Sequence, residues 1–145
     1  MTALVYDEKR DQLILHGGGA QRDELWTFDF PSGQWAQVDA QGVKPPVCRR
    51  EAVYLPRHDV LLTCGCPAGE DEETAAVYAY RIEANTWDRL EIPTPPGRKL
   101  AEIVGQNRSM TYDPDRGLVL MILGDGPGDR GDVVVYALKY EQAGY

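Results

Sequence analysis

With 145 residues the chain has room for one domain with a sizeable core. A makeup of 43% hydrophobic and 26% charged residues excludes an intrinsically disordered chain. A net charge of -8 and a pI near 4.7 exclude a general nucleic-acid or anionic-membrane binder, because either would need a basic face.

The expected elements fall into repeating units. The first strand, residues 3–6, ends at Tyr6 and is followed by the charged turn "DEKRD". An apolar run then stops on His16-Gly17-Gly18. A third strand led by aromatics covers residues 25–28, a "PSG" turn follows, and a fourth strand starts at Trp35 and runs to residue 38. The order then recurs. A strand over 52–54 ends at Tyr54, an apolar run ends at Cys64-Gly65, a strand covers 77–80, and the last covers 87–92 from Trp87. "RKLAEIV", residues 98–104, reads as a helical turn. A third round has strands over 109–112, ending at Tyr112, and over 133–138, with the run Leu118 to Leu123 between them. That run is the longest apolar stretch and has the length of a buried strand, far short of the ~18–20 residues of a membrane span.

Anchored on Tyr6, Tyr54 and Tyr112, the segments "YDEKRDQLILHGG", "YLPRHDVLLTCGC" and "YDPDRGLVLMILGD" align without a gap. Gly17 then matches Gly65, and Gly18 matches Gly124. "ELWTFDFPSGQW", "AVYAYRIEANTW" and "VVYALKYEQAGY" also align, placing Trp26, Tyr78 and Tyr136 in one column and Trp35, Trp87 and Tyr145 in another. The anchors stand 48 and 58 residues apart, and the extra ten residues fall in loops, as insertions should if the aligned parts are packed elements. The second and third strands of each unit are apolar continuously, so both of their faces should be covered. Short antiparallel sheets, repeated about every 50 residues and stacked on both sides, describe propeller blades.

The pattern resembles the kelch repeat: an apolar run ending in glycines, then a Tyr or Trp, then a Trp nine residues later. "YDPDRGLVLMILGD" and "RREAVYLPRHDVLLTCG" look like the bacterial members related to the galactose oxidase central domain. The expected fold is therefore all-β, with three four-stranded kelch-type blades in a single segment over 1–145. Blade 1 covers about 1–40, blade 2 about 50–93 and blade 3 about 107–145. The last should lack its fourth strand, since Tyr145 stands where that strand would begin. Tyr6, Tyr54, Tyr112, Trp35 and Trp87 are expected to pack between blades. Gly17, Gly18, Gly65 and Gly124 are expected to let the second strand turn where a neighbouring backbone comes close.

Propellers close with ~4–8 blades. Three should leave two apolar faces open, so the expected partner is a second copy completing a six-bladed ring, or the remaining blades of a longer chain. No nucleic-acid or membrane partner is expected. The N-terminus lacks a signal-peptide pattern, and three cysteines (Cys48, Cys64, Cys66) suit no disulfide framework, which points to a reducing, cytoplasmic setting.

Candidate sites lie on the rim formed by residues 17–24, 65–76 and 124–132 with the linkers 39–50 and 93–108. Arg50 and Arg108 each stand four residues before a tyrosine anchor. The resemblance implies a carboxylate site near the channel mouth, and a planar guanidinium suits one. The alternative is a structural ion pair between blades. Asp125, Asp129 and Asp132 in "GDGPGDRGD" are hard-cation candidates set against a merely solvated loop. His16 and Cys64 share a column that reads as packing. A His/Cys metal site needs more converging ligands than His16, His58 and three cysteines supply from different rims. The same separation bars the copper chemistry that the resemblance raises. No catalytic residue and no cofactor are expected. The leading function is a noncatalytic interaction module presenting rim loops to a protein, peptide or glycan. The alternative is part of a carbohydrate-active or oxidase-like propeller enzyme that needs further blades.

Overall fold

A computed structural model describes residues 2–18, 22–45, 48–65, 75–104, 108–124 and 133–142. Among the described residues the chain is all-β apart from a five-residue helix and a 3-10 turn. The first sheet is antiparallel with order β1 (Ala3–Asp7), β2 (Gln12–Gly18), β3 (Arg22–Asp29), β4 (Gln34–Val38). The second holds β6 (Cys48–Leu55), β7 (Val60–Gly65), β8 (Ala76–Arg81) and β9 (Thr86–Leu90), and the short β5 (Gln41–Gly42) pairs parallel to β9. The third holds β10 (Arg108–Asp113), β11 (Leu118–Gly124) and β12 (Val133–Leu138). Helix α1 (Leu100–Val104) sits between the second and third sheets in sequence, where the helical turn is expected, and buries Ala101, Ile103 and Val104.

Away from the bulges near Gly17 and between Cys48 and Ala52, strand register reproduces the repeat alignment. The anchors pair as Tyr6↔Leu13, Tyr54↔Leu61 and Tyr112↔Val119. The next hairpin pairs Trp26 with Leu15, Tyr78 with Thr63 and Tyr136 with Met121. Each of the five hairpin turns that lie wholly among the described residues has four residues and ends in the left-handed region, at Asp11 (φ 51°), Gly33 (66°), Asp59 (56°), Asn85 (52°) and Gly117 (65°).

Two apolar cores lie between the sheets. In one, Ile14 and Leu25 of the first sheet meet Leu61, Tyr78, Tyr80 and Trp87 of the second. In the other, Val53, Leu62, Val77 and Ala79 of the second sheet meet Val119, Met121 and Leu138 of the third, with α1 filling in. The middle sheet is thus buried on both faces, as its continuous apolar runs require. The outer two are not. Leu4, Tyr6 and Trp35 are exposed on one side of the stack, and Ile122, Val133 and Val135 on the other. Both faces are covered within the chain for the middle blade alone, because the outer blades each have a single neighbour, which leaves the two open apolar faces expected of three blades.

Only part of the glycine expectation rests on backbone conformation. Gly17 has φ 81° at a bulge between His16 and Gly18. Its counterpart Gly65 lies in a regular ladder opposite Ala76. The linker after β4 also differs from a free rim loop, because Gln41 and Gly42 bond along β9 as a fifth strand. At Gly42 (φ 83°) a Cβ would overlap the Trp87 carbonyl oxygen, so this position demands glycine.

Candidate functional site

Within each sheet the first strand lies at one edge. β1 touches β6, and β6 touches β10, so the first strands stand side by side along the inner edge of the arc. Arg108 is the first residue of β10, opposite Leu123. Arg50 lies in the irregular stretch of β6 between Cys48 and Ala52. The backbone therefore sets both arginines on adjacent inner strands, at the end away from the tyrosine turns. The loops joining second to third strands leave from that same end, where Gly124 pairs with Val133 and Gly65 with Ala76. Asp125, Asp129 and Asp132 fall outside the described residues, as do most residues of the loops joining second to third strands.

His16 is buried and its ring packs 4.9 Å, centroid to centroid, from that of Trp87 in the next sheet. The Cys64 sulfur lies 3.4 Å from the Met110 sulfur across the other sheet boundary. One column thus joins neighbouring blades at both boundaries, with a different pair of groups at each. His58 stands in the turn at the opposite end, 5.0 Å from the Tyr140 ring.

That opposite end holds a polar cluster that the charged turns alone do not reveal. The buried Asp7 carboxylate accepts the backbone N–H groups of Lys9 and Arg10 and the side-chain amide of Gln12. The Arg10 guanidinium donates to Asp7 at 3.1 Å and forks onto Asp59 of the second sheet at 2.7 and 2.6 Å. Lys9 Nζ reaches the same carboxylate at 2.9 Å, and the Tyr54 hydroxyl donates to it at 3.1 Å. The bonds from Arg10 above all, then those from Lys9 and Tyr54, hold the Asp59 carboxyl well below the usual carboxylate range, outweighing its partial burial. Arg10 is correspondingly raised by its bond to Asp59. Burial first, and then the neighbouring carboxylates, push the Tyr54 phenol up. The shifts hold Asp59 as a carboxylate, Arg10 as a cation and Tyr54 as a neutral phenol at neutral pH. The cluster is a bidentate clamp between two blades.

Tyr6 donates to Asp11 at 2.8 Å, Tyr54 to Asp59, and Tyr80 to Asn85 at 2.8 Å. In each case a tyrosine before the turn bonds the left-handed Asx five residues on. Where the aromatic has no hydroxyl, at Phe28, the fifth residue on is Gly33. The third sheet breaks the pattern: the fifth residue on from Tyr112 is Gly117, and the buried Tyr112 hydroxyl has no hydrogen-bond partner among the described residues. The spacing Tyr-x4-Asp/Asn is the sequence signal that would have found this clasp.

No family model matches the chain. A Drosophila melanogaster protein named leucine-zipper-like transcriptional regulator 1 homolog is 24% identical over 119 residues, which is 76% of this chain and 12% of that protein. The chain spans about an eighth of the length of this relative. Together with the antiparallel blade-like sheets, the likeness is consistent, at a distance, with kelch-type repeats. Among the described residues no helix is long and apolar enough to cross a membrane.

Proposed function

We propose that the chain is a noncatalytic kelch-type interaction module, with blades over about 1–40, 50–93 and 107–145, of the bacterial kind related to the galactose oxidase central domain. Its working surface is the rim at the start of the inner strands. The observation that carries this reading is the side-by-side packing of β1, β6 and β10, with Arg50 and Arg108 at the same end of adjacent strands. Arginines at the same end of two adjacent strands suit a partner that carries carboxylates, so an acidic peptide segment of a protein partner fits better than a neutral glycan. The distant likeness to a regulator supports a role in protein interaction. A second copy completes a six-bladed ring around the channel.

Binding of the purified chain to an acidic-peptide array and to a glycan array tests this. Peptide binding that falls at least tenfold in an Arg50→Gln/Arg108→Gln variant of unchanged thermal stability is the expected result. Peptide binding indifferent to both changes, or glycan binding alone, would refute the carboxylate site.

A further inference from the structure

The two outer faces of the stack are unlike each other, and each matches what covers its counterpart inside. At both internal boundaries a blade's aromatic face receives the aliphatic face of the blade before it. Tyr78, Tyr80 and Trp87 receive Ile14 and Leu25, and Tyr112 and Tyr136 receive Val53, Leu62 and Val77. The first blade presents its own aromatic face, around Tyr6 and Trp35, to solvent. Tyr6 is 50% exposed where Tyr54 is 8%, and Trp35 is 45% exposed where Trp87 is 1%. The third blade presents its aliphatic face: Val135 is 54% exposed where its counterpart Val77 is fully buried.

The turns carry the same complementarity in charge. Between the first two blades, Arg10 is held by Asp7 and reaches Asp59, which is itself held by Tyr54. The third blade repeats the donor half, with Arg116 donating to Asp113 at 2.8 Å and its side chain 73% exposed. The first blade repeats the acceptor half, with Asp11 taking the Tyr6 hydroxyl. Among the described residues no cation lies on Asp11, and Arg116 has no carboxylate beyond Asp113. The stack thus ends in the two halves of a junction that it has already built once.

We infer that two copies of the chain join head to tail, the aliphatic face of blade 3 on the aromatic face of blade 1, with Arg116 of each copy paired to Asp11 of the other. A two-fold axis makes both contacts identical and leaves no open blade face. The inference rests on the six-bladed reading above and assigns its contact surface.

Charge reversal in trans is the test, because the geometry makes a distinctive demand. Arg116→Glu alone sets its new carboxylate against Asp11 at both contacts, and Asp11→Lys alone sets its new ammonium group against Arg116 at both. Mixed together, the two variants form a heterodimer in which one contact pairs the two native side chains and the other pairs the two substituted ones, so both are complementary. Sedimentation of the wild-type chain at micromolar concentration should give a dimer. Each variant alone should dissociate about 100-fold more readily, since like charges would face each other twice, and the equimolar mixture should recover the dimer. Recovery in the mixture also shows that both variants are folded. Val135→Glu, on the opposing apolar face, should give a monomer that no mixture rescues. A dimer unaffected by the single variants, or a mixture that fails to recover, overturns the assigned junction. A strictly monomeric wild type overturns both the junction and the ring.

Discussion

Gly117→Asp should stabilise the chain. The substitution completes the clasp that the third blade lacks, since Tyr6, Tyr54 and Tyr80 all bond an Asx side chain five residues on whereas the Tyr112 hydroxyl is left without a partner among the described residues. The backbone is already suited to it: Gly117 has φ 65°, and Asp11 and Asp59 occupy equivalent turns at 51° and 56°. A Cβ at Gly117 would meet nothing nearer than Arg57 Nη1 at 3.8 Å. The new carboxylate would stand beside that guanidinium as Asp59 stands beside Lys9 and Arg10. A hydrogen bond to a charged group contributes about 1.5–3 kcal/mol, and the lower figure applies at this partly solvated site. Loss of the glycine's freedom in the unfolded chain adds about 0.5 kcal/mol. The left-handed conformation costs about 1 kcal/mol with a side chain present, least for Asp and Asn. The net is about 1 kcal/mol, or about 3 °C in Tm for a domain of this size. Gly117→Ala carries the strain without the acceptor and should lower Tm instead. Thermal unfolding of both variants, with and without Tyr112→Phe, checks the account. Tyr112→Phe should be neutral or stabilising in the parent chain and destabilising in Gly117→Asp. If Asp is no better than Ala at position 117, or if Tyr112→Phe acts alike in both backgrounds, the clasp is not a stabilising device.

Gly42→Ala should destabilise by about 2–3 kcal/mol, since the new methyl overlaps the Trp87 carbonyl and the conformation is left-handed. Urea unfolding would show it as a lower midpoint, together with faster amide exchange along β5 and β9. Asp59→Asn should lower stability at neutral pH and make it less sensitive to acid. The native carboxyl titrates below its ordinary value, so its stabilisation is complete above about pH 4 and fades as pH falls from there. Urea midpoints for the parent and Asp59→Asn should therefore converge on acidification. A gap that stays constant down to about pH 2 would mean that the ion pair contributes nothing.

The blades were legible because their information is periodic. Three tyrosine anchors and two aromatic columns recur at fixed offsets, and strand pairing must respect those offsets or turn every side chain to the wrong face. The register of Tyr6, Tyr54 and Tyr112 therefore follows from alignment alone. The helical turn over 100–104 was legible for a similar local reason. β5 was not, because Gln41-Gly42 carries no apolar signal and becomes a strand only through the edge that β9 offers. The clamp at Asp59 was equally hidden. "DEKRD" reads as a solvated turn until folding brings it against a turn 49 residues away, where Arg10 finds a carboxylate already held by Tyr54.

Spacing and composition determine what each blade is, since a strand's two faces are written into every second residue. They also determine that the outer blades carry apolar faces. Which face meets which neighbour is a property of the stack. Tyr6 and Tyr54 are the same residue in the same column, and only the blade packed behind Tyr54 makes one buried and the other exposed. Burial depends on neighbours in space, so the open aromatic face of blade 1, the open aliphatic face of blade 3 and the half-built ion pairs beside them came into view only with the tertiary structure.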